Sequence, residues 1–121
     1  MSVAVAIDRL AEQVDALGPR AYFISFGADG KGHVVSVMVR LEGAALAAEV
    51  GRTTRANLGA NPAATVLWPP SGDDLYCLIV DGTADLGDGD LVAVRPDRAV
   101  LHRLAGAGTD IPSCIPLEAN D

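Results

Sequence analysis

A chain of 121 residues with a formal net charge of −7 is long enough for one domain and leaves little room for a second. Half of its residues are apolar, which allows a packed core and argues against intrinsic disorder. The acidic balance argues against nucleic acid or an anionic membrane as the main partner, because both require a basic surface. We therefore expect a single domain over residues 1–121.

Cysteine content and the absence of targeting signals predict a cytoplasmic protein. The only cysteines, Cys77 and Cys114, form neither a CxxC pair nor a metal-binding spacing, so the sequence predicts no metal site and no disulfide framework. No signal peptide opens the chain, and its apolar runs are too short to span a bilayer.

The chain begins with an apolar stripe typical of a helix. The stripe consists of residues that recur at intervals of three and four: Ile7, Leu10, Val14 and Leu17. It predicts a helix over residues 3–17, which Gly18 and Pro19 then end.

The pattern then changes to short runs that favour strands, divided by turns. The predicted strands are residues 21–26, 33–41, 44–50, 63–68 and 75–86, with one or two more in 91–104. A short helix capped by Thr53 or Thr54 is predicted between the third and fourth strands. Asp81-Gly82 predicts a bulge in the fifth strand, and the tail from residue 105 is predicted to be irregular.

Several predicted strands are apolar on both faces, as in Val34-Val35 and Leu78-Ile79-Val80. An open sheet with one wet face would alternate more strictly, so a closed barrel packed on helices or on another subunit fits better. The expected fold is therefore mostly β, a barrel of about six strands with an N-terminal helix and one short helical insert.

The stretch from Val50 to Gly72 contains no Asp or Glu, although the chain is acidic overall. Arg52, Thr53, Thr54 and Arg55 lie there, at the start of the predicted short helix. Unpaired backbone N–H groups and the helix dipole favour an anion at such a position. Two interpretations stay open: a phosphate cradle, or an ordinary capped helix with solvated arginines.

The second predicted strand is also free of acidic residues, from Gly30 to Leu41, and carries Ser36 and Arg40. Its backbone is suited to lining a planar ligand, and the alternative is an ordinary barrel strand.

Other polar residues favour structural roles. His33 and His102 have no base partner in the sequence, and Asp85, Asp88 and Asp90 lack the longer ligand series of a calcium loop. No residue is assigned as catalytic.

Four segments are similar to the flavin-binding split-barrel superfamily, often called pyridoxamine 5′-phosphate oxidase-like: HVVSVMVR, GRTTRANLGANPAATVLW, LYCLIVDGTADL and VRPDRAVLHR. The order of a helix, a hairpin, a short helix ending in Asn-Pro and a strand ending near Trp also resembles this superfamily. The resemblance covers about residues 6–103 and implies an antiparallel, Greek-key-like split β-barrel with its short helix at the cofactor phosphate.

The resemblance also implies a homodimer with cofactor sites at the subunit interface. The residues that it assigns to the phosphate of a flavin-type cofactor are Arg52, Thr53, Thr54 and Arg55. Those that it places along the isoalloxazine ring or ribityl chain are Ser36, Val37, Met38 and Val39.

Two departures from the superfamily pattern argue against vitamin B6 oxidation. Pyridoxamine 5′-phosphate oxidases carry an Arg-Lys pair where this chain has Thr53-Thr54, and they continue well beyond the position of Arg103. The expected function is an oxidoreductase that transfers hydride to or from a small organic substrate. The expected cofactor is FMN, because seven Asp between residues 73 and 97 disfavour the anionic tail of the alternative, 8-hydroxy-5-deazaflavin. A flavin or haem carrier without turnover is the non-enzymatic alternative.

Overall fold

The computed structural model describes residues 4–5, 7–72, 75–103 and 114–118, with side-chain environments for residues 8–72 and 75–103. Strands dominate this part of the chain because its β-branched and aromatic runs are divided by Gly, Pro and Asn. The elements are β1 (Ala4–Val5), a 3-10 turn (Ile7–Arg9), α1 (Leu10–Leu17), β2 (Arg20–Phe26), β3 (Gly32–Met38), β4 (Arg40–Glu42), β5 (Ala45–Glu49), α2 (Arg52–Ala60), β6 (Ala63–Trp68), β7 (Tyr76–Leu86), β8 (Leu91–Arg103) and β9 (Cys114–Glu118).

The nine described strands form one sheet in the order β1-β9-β8-β7-β6-β2-β3, and the β4–β5 hairpin joins it through β5 and β8. All pairings are antiparallel except that of β1 with β9. The long strand β8 pairs with β5 along its first half and with β9 along its second, so the sheet divides at this strand. The predicted mostly β, split-barrel fold is confirmed.

The core lies between the curled sheet and α1. Its largest side chains, Trp68, Phe23, Leu46 and Leu78, are at most 1% exposed. The indole Nε1 of Trp68 donates a hydrogen bond of 3.0 Å to the backbone oxygen of Gly18. This bond ties β6 to the end of α1 and satisfies the one polar atom of a buried side chain.

The predicted bulge is confirmed in the β7–β8 pair. Gly82 lies opposite Pro96 whereas Asp81 lies opposite Arg98, which leaves Asp97 as the extra residue of β8. Proline fits this position because a bulge removes the need for a ladder N–H group.

Two boundaries differ from the sequence-based expectation. The N-terminal helix begins at Leu10 rather than at residue 3, because Ala4–Val5 pair with the sheet instead. The predicted second strand divides at Val39 into β3 and β4, and the N–H of Val39 donates to the oxygen of Pro19 at 2.7 Å, at the next position of the β2–β3 register.

The prediction of an irregular tail is wrong for Cys114–Glu118, which pair with β8; residues 104–113 and 119–121 lie outside the described part of the chain. The prediction that Thr53 or Thr54 caps α2 is also wrong. Gly51 is the N-cap in an extended conformation and no side chain caps the helix, so both threonines lie inside its first turn. Within the described residues, no helix has the length and apolar character needed to span a membrane.

Candidate functional site

A groove of about 610 Å³ opens beside the solvent-facing side of β2 and β3. Six of its lining residues come from these two strands: Arg20, Ala21, Tyr22, Ser36, Val37 and Met38. The rim is completed by Arg40, Glu49 and Pro69. A volume of this size lies within the usual range for small-molecule and cofactor sites.

The floor of the groove follows from strand alternation and register. In the β2–β3 pair Tyr22 lies directly opposite Ser36, and Arg20 lies opposite Met38. Directly opposed residues share one face of a sheet, so these side chains form one surface. Three large apolar side chains of this hairpin remain well exposed: Tyr22 at 43%, Val34 at 57% and Met38 at 58%. The surface is therefore apolar and accessible, with a guanidinium at one end.

Strand β3 offers backbone hydrogen-bonding groups to a ligand. It pairs with β2 along seven residues, and no described strand pairs with its other edge. An unpaired strand edge presents a row of N–H and C=O groups. A planar ligand with donors and acceptors along one side is able to bind such an edge.

The charged residues of the groove differ in their pairing. The Nε of Arg40 donates a hydrogen bond of 2.6 Å to the carboxylate of Glu42, on the same strand. Arg20 and Glu49 form no ion pair or side-chain hydrogen bond with any described residue. Their charges are therefore available to a ligand.

Three of the four residues predicted for the cofactor ring line this groove: Ser36, Val37 and Met38. The fourth, Val39, is buried among the core side chains, and its backbone N–H is already bonded to Pro19. Strand alternation turns the Val39 side chain inward, so it contributes packing under the groove rather than ligand contact.

The four residues predicted for the phosphate lie together in the first turn of α2, and none of them lines the groove. Arg52 and Thr53 are exposed, whereas Thr54 is buried among core residues. The Oγ1 of Thr54 has no hydrogen-bond partner among the described residues and almost no solvent-accessible surface. A phosphate at this helix start would therefore meet Arg52, Thr53 and backbone N–H groups first.

Arg55 is already bound to another element. Its guanidinium donates hydrogen bonds of 2.7 Å to the oxygen of Leu91 and 2.8 Å to that of Gly87, in the turn between β7 and β8. The same turn accepts a bond of 2.9 Å from the N–H of Val50 to the oxygen of Asp90. Arg55 thus anchors the hairpin to the start of α2, and only its remaining N–H groups are available to a phosphate.

The rest of α2 is fixed by the asparagines of its sequence motif. The Nδ2 of Asn57 donates a hydrogen bond of 3.1 Å to the hydroxyl of Ser25, which is fully buried in β2. The Oδ1 of Asn61 accepts one of 3.1 Å from the N–H of Ala63, at the turn into β6. These contacts hold α2 on the sheet.

The remaining polar candidates lie outside the groove. His33 and His102 do not line it. Asp85 forms an ion pair of 2.8 Å with Arg95 across the β7–β8 pair, and this hydrogen bond raises the pKa of the Arg95 guanidinium. Among the described residues, no three His, Cys, Asp or Glu side chains lie close enough together to hold a metal ion.

Sequence reasoning did not single out Arg20 and Tyr22. The signal that could have found them is the alternation in RAYFISF, which places residues 20 and 22 on one face of a strand. Only the register between β2 and β3 shows that this face continues onto Ser36 and Met38.

The fold that carries this groove is a split β-barrel. It is shared with a candidate pyridoxamine 5′-phosphate oxidase from Listeria innocua, at a TM-score of 0.67 and 13% identity, covering 78% of this chain and 96% of that one. An F420 reductase gives a TM-score of 0.58 at 18% identity, covering 68% of this chain and 90% of the other. A haem-binding protein from Mycobacterium smegmatis gives 0.64 at 16% identity, covering 88% of this chain and 57% of that protein. At sequence identities of 13–18%, these structural similarities show a shared fold and no more.

Two sequence relatives are uncharacterized proteins of Mycobacterium bovis and Mycobacterium tuberculosis. Each is 46% identical over 70 residues, which cover 53% of this chain and 48% of the relative. The match therefore spans about half the length of these relatives. No family model matches the sequence.

Proposed function

We propose that this chain is an oxidoreductase that binds a flavin-type cofactor in the groove beside β2 and β3, and that FMN is the first candidate for this cofactor. The substrate is a small organic molecule that exchanges a hydride with the cofactor. The observation that carries the proposal is the groove itself, because it is lined by Ser36, Val37 and Met38, which the resemblance assigns to the cofactor ring or ribityl chain.

The residues present suit a flavin. An isoalloxazine ring is planar and apolar on its faces, with hydrogen-bond donors and acceptors along one side. The exposed Met38 offers apolar surface to the ring, and the free edge of β3 offers backbone groups to its polar side. The Ser36 hydroxyl is suited to a polar atom of the ring or of the ribityl chain.

The first turn of α2 is proposed as the phosphate site. It combines the unpaired backbone N–H groups of a helix start with Arg52 and Thr53, both exposed. Arg55 would add the N–H groups that the β7–β8 turn does not use.

The deazaflavin is the second candidate, and one arginine of the groove favours it. Arg20, which pairs with no described carboxylate, would suit an anionic tail, whereas Arg40 is already bonded to Glu42. The acidic residues that argue for FMN at the sequence level include Asp81, Asp85 and Asp97, which bond to residues of β6, β7 and β8 and do not line the groove.

A homodimer is part of the proposal. The exposed Tyr22, Val34 and Met38 form an apolar area on β2 and β3, and a second copy of the chain would cover it. A subunit seated there would close the open groove and exclude water from the cofactor.

The bound flavin would supply the hydride chemistry, while the chain orients the ring and anchors the phosphate. No acid or base of this chain is assigned to proton transfer. Oxidation of pyridoxamine 5′-phosphate is not proposed, because Thr53 and Thr54 stand where those oxidases carry cations.

Parallel titrations of the purified protein with FMN, the deazaflavin and haem test the proposal. We expect saturable binding of FMN, or of the deazaflavin if Arg20 decides the choice. Binding of haem alone would favour a carrier, and a flavin that binds without turnover of any reduced or oxidised substrate would do the same.

A further inference from the structure

Arg20 is the groove residue that the FMN proposal leaves without a role, and only the deazaflavin alternative uses it. It lies at the first position of β2, is exposed, and lines the groove. No carboxylate of the described residues lies within ion-pair distance of its guanidinium, whereas the other cation of the groove, Arg40, is paired with Glu42. An unpaired guanidinium facing a cavity favours an anionic ligand group, with the planar fork suited to a carboxylate.

The surface beside Arg20 is apolar. Met38 lies directly opposite Arg20 across the β2–β3 pair, and Tyr22 is two residues further along the same face. A ligand whose carboxylate binds Arg20 would therefore place its body against an aromatic ring and a thioether. Both side chains favour flat, polarisable groups over charged or strongly hydrated ones.

Glu49 limits the charge of such a ligand. Its carboxylate is exposed at the rim of the same groove and makes no ion pair with a described residue. A second anionic group on the ligand would be repelled by it, so the groove favours one negative charge.

We propose that Arg20 is a specificity-determining residue that selects a planar monocarboxylic acid, aromatic or conjugated, as the substrate held in the groove. This proposal rests on the proposed function in one respect: calling the acid a substrate assumes that a flavin binds beside it. The binding preference itself depends only on Arg20, Tyr22, Met38 and Glu49.

Benzoate and its uncharged analogue benzamide are the probes, titrated by calorimetry against the protein loaded with FMN. We expect benzoate to bind about three- to tenfold more tightly than benzamide, as an open charge-assisted contact allows. Arg20→Gln should remove this preference and Arg20→Lys should retain part of it. The matched control is Arg9→Gln, an exposed arginine of the 3-10 turn outside the groove, which should retain all of it.

Two further probes define the anion. Phenyl phosphate should bind no more tightly than benzoate, and isophthalate, with a second carboxylate, should bind more weakly. A phosphate preference of tenfold or more would overturn the choice of a carboxylate. Tighter binding of isophthalate would overturn the restriction to one charge.

The inference as a whole is overturned if benzoate and benzamide bind alike, or if the preference survives in Arg20→Gln. FMN binding is measured separately in every variant, and circular dichroism checks folding. If FMN fails to bind but the Arg20-dependent preference remains, the proposed function fails while the carboxylate specificity of the groove stands.

Discussion

The two arginines at the start of α2 are three residues apart, and their surroundings give them different roles. Arg52 is exposed and has no bond to a described side chain or backbone oxygen, so its charge is available. Arg55 donates to two carbonyl oxygens that lie 32 and 36 residues further along the chain. In the sequence the two arginines look equivalent, because both lie at the start of the same predicted helix. Only the tertiary structure separates an exposed, unpaired arginine from one that anchors a hairpin.

Replacing Arg52 tests the anion contact. We expect Arg52→Ala to weaken FMN binding about tenfold or more, because a charge-assisted hydrogen bond to phosphate is lost. Riboflavin, which lacks the phosphate, should bind equally well to both proteins, and the thermal midpoint should not change. Arg95→Ala, which removes an exposed arginine outside the groove, is the control and should leave FMN affinity within about threefold. An unchanged ratio of FMN to riboflavin affinity in Arg52→Ala would contradict the phosphate assignment.

Replacing Arg55 tests the anchor. Arg55→Ala removes the side-chain donor from the oxygens of Gly87 and Leu91, of which the oxygen of Leu91 keeps the N–H of Gly87, so we expect a loss of about 1–2 kcal/mol in the free energy of unfolding. Urea denaturation measures it. Arg98→Ala, which removes an exposed ion pair with an N–O distance of 3.9 Å, should cost less than about 0.5 kcal/mol. Equal midpoints for the two variants would mean that Arg55 does not hold the hairpin.

At the scale of elements, the β7–β8 pair is the longest pairing of the described sheet and contains a bulge. The sequence predicts the bulge correctly because Asp81-Gly82 interrupts an otherwise continuous strand. Glycine is required there by close approach. A Cβ at Gly82 would lie against the backbone oxygen of Arg95 and 2.7 Å from Cγ1 of Val94.

Gly82→Ala should therefore destabilise the fold by about 1–3 kcal/mol, since the two strands must move apart. Gly59→Ala is the matched control, because a Cβ there meets nothing within 4 Å and the residue lies within α2. That change should stabilise the protein by about 0.5–1 kcal/mol through helix propensity. Denaturant unfolding of both variants measures the difference. A stable Gly82→Ala protein would show that the β7–β8 spacing is not fixed at the bulge.

A helix or strand can be predicted from the sequence when the residues that determine it lie within or next to it. The strands over residues 63–68 and 76–86 and the stop at Asn61-Pro62 follow from local composition and turn residues. Strand β9 could not be predicted, since its short, proline-containing run becomes a strand only by pairing with β8. The groove could be predicted only in part. The resemblance points to Ser36, whereas the position of Arg20 on the same surface is known only from the β2–β3 register.

At the scale of the whole molecule, the β2–β3 hairpin is an outer part of the sheet with a large apolar area. An area of this kind in a small acidic protein is suited to a subunit interface, and a two-fold dimer would place two grooves at it. The proposed site and the proposed assembly therefore depend on the same surface.

Val34→Glu tests the assembly without altering the groove, because Val34 is exposed on β3 and is not a lining residue. We expect the parent protein to have twice the chain mass of 12.4 kDa by light scattering at micromolar concentration. The variant should be monomeric, since a buried unpaired carboxylate costs several kcal/mol. Leu86→Glu, at another exposed apolar site at the end of β7, should leave the dimer intact. A monomeric parent protein would remove the interface from the proposal.

The absorption spectrum of the protein after loading with FMN and desalting tests whether the groove is a flavin site. We expect about one flavin to be retained per chain, and Ser36→Trp, whose indole would fill the groove, to retain none while its circular dichroism is unchanged. Loading with the deazaflavin in parallel identifies the preferred cofactor by the same criterion. A parent protein that retains neither flavin, or a Ser36→Trp variant that retains as much flavin as the parent, would contradict the assignment of the groove.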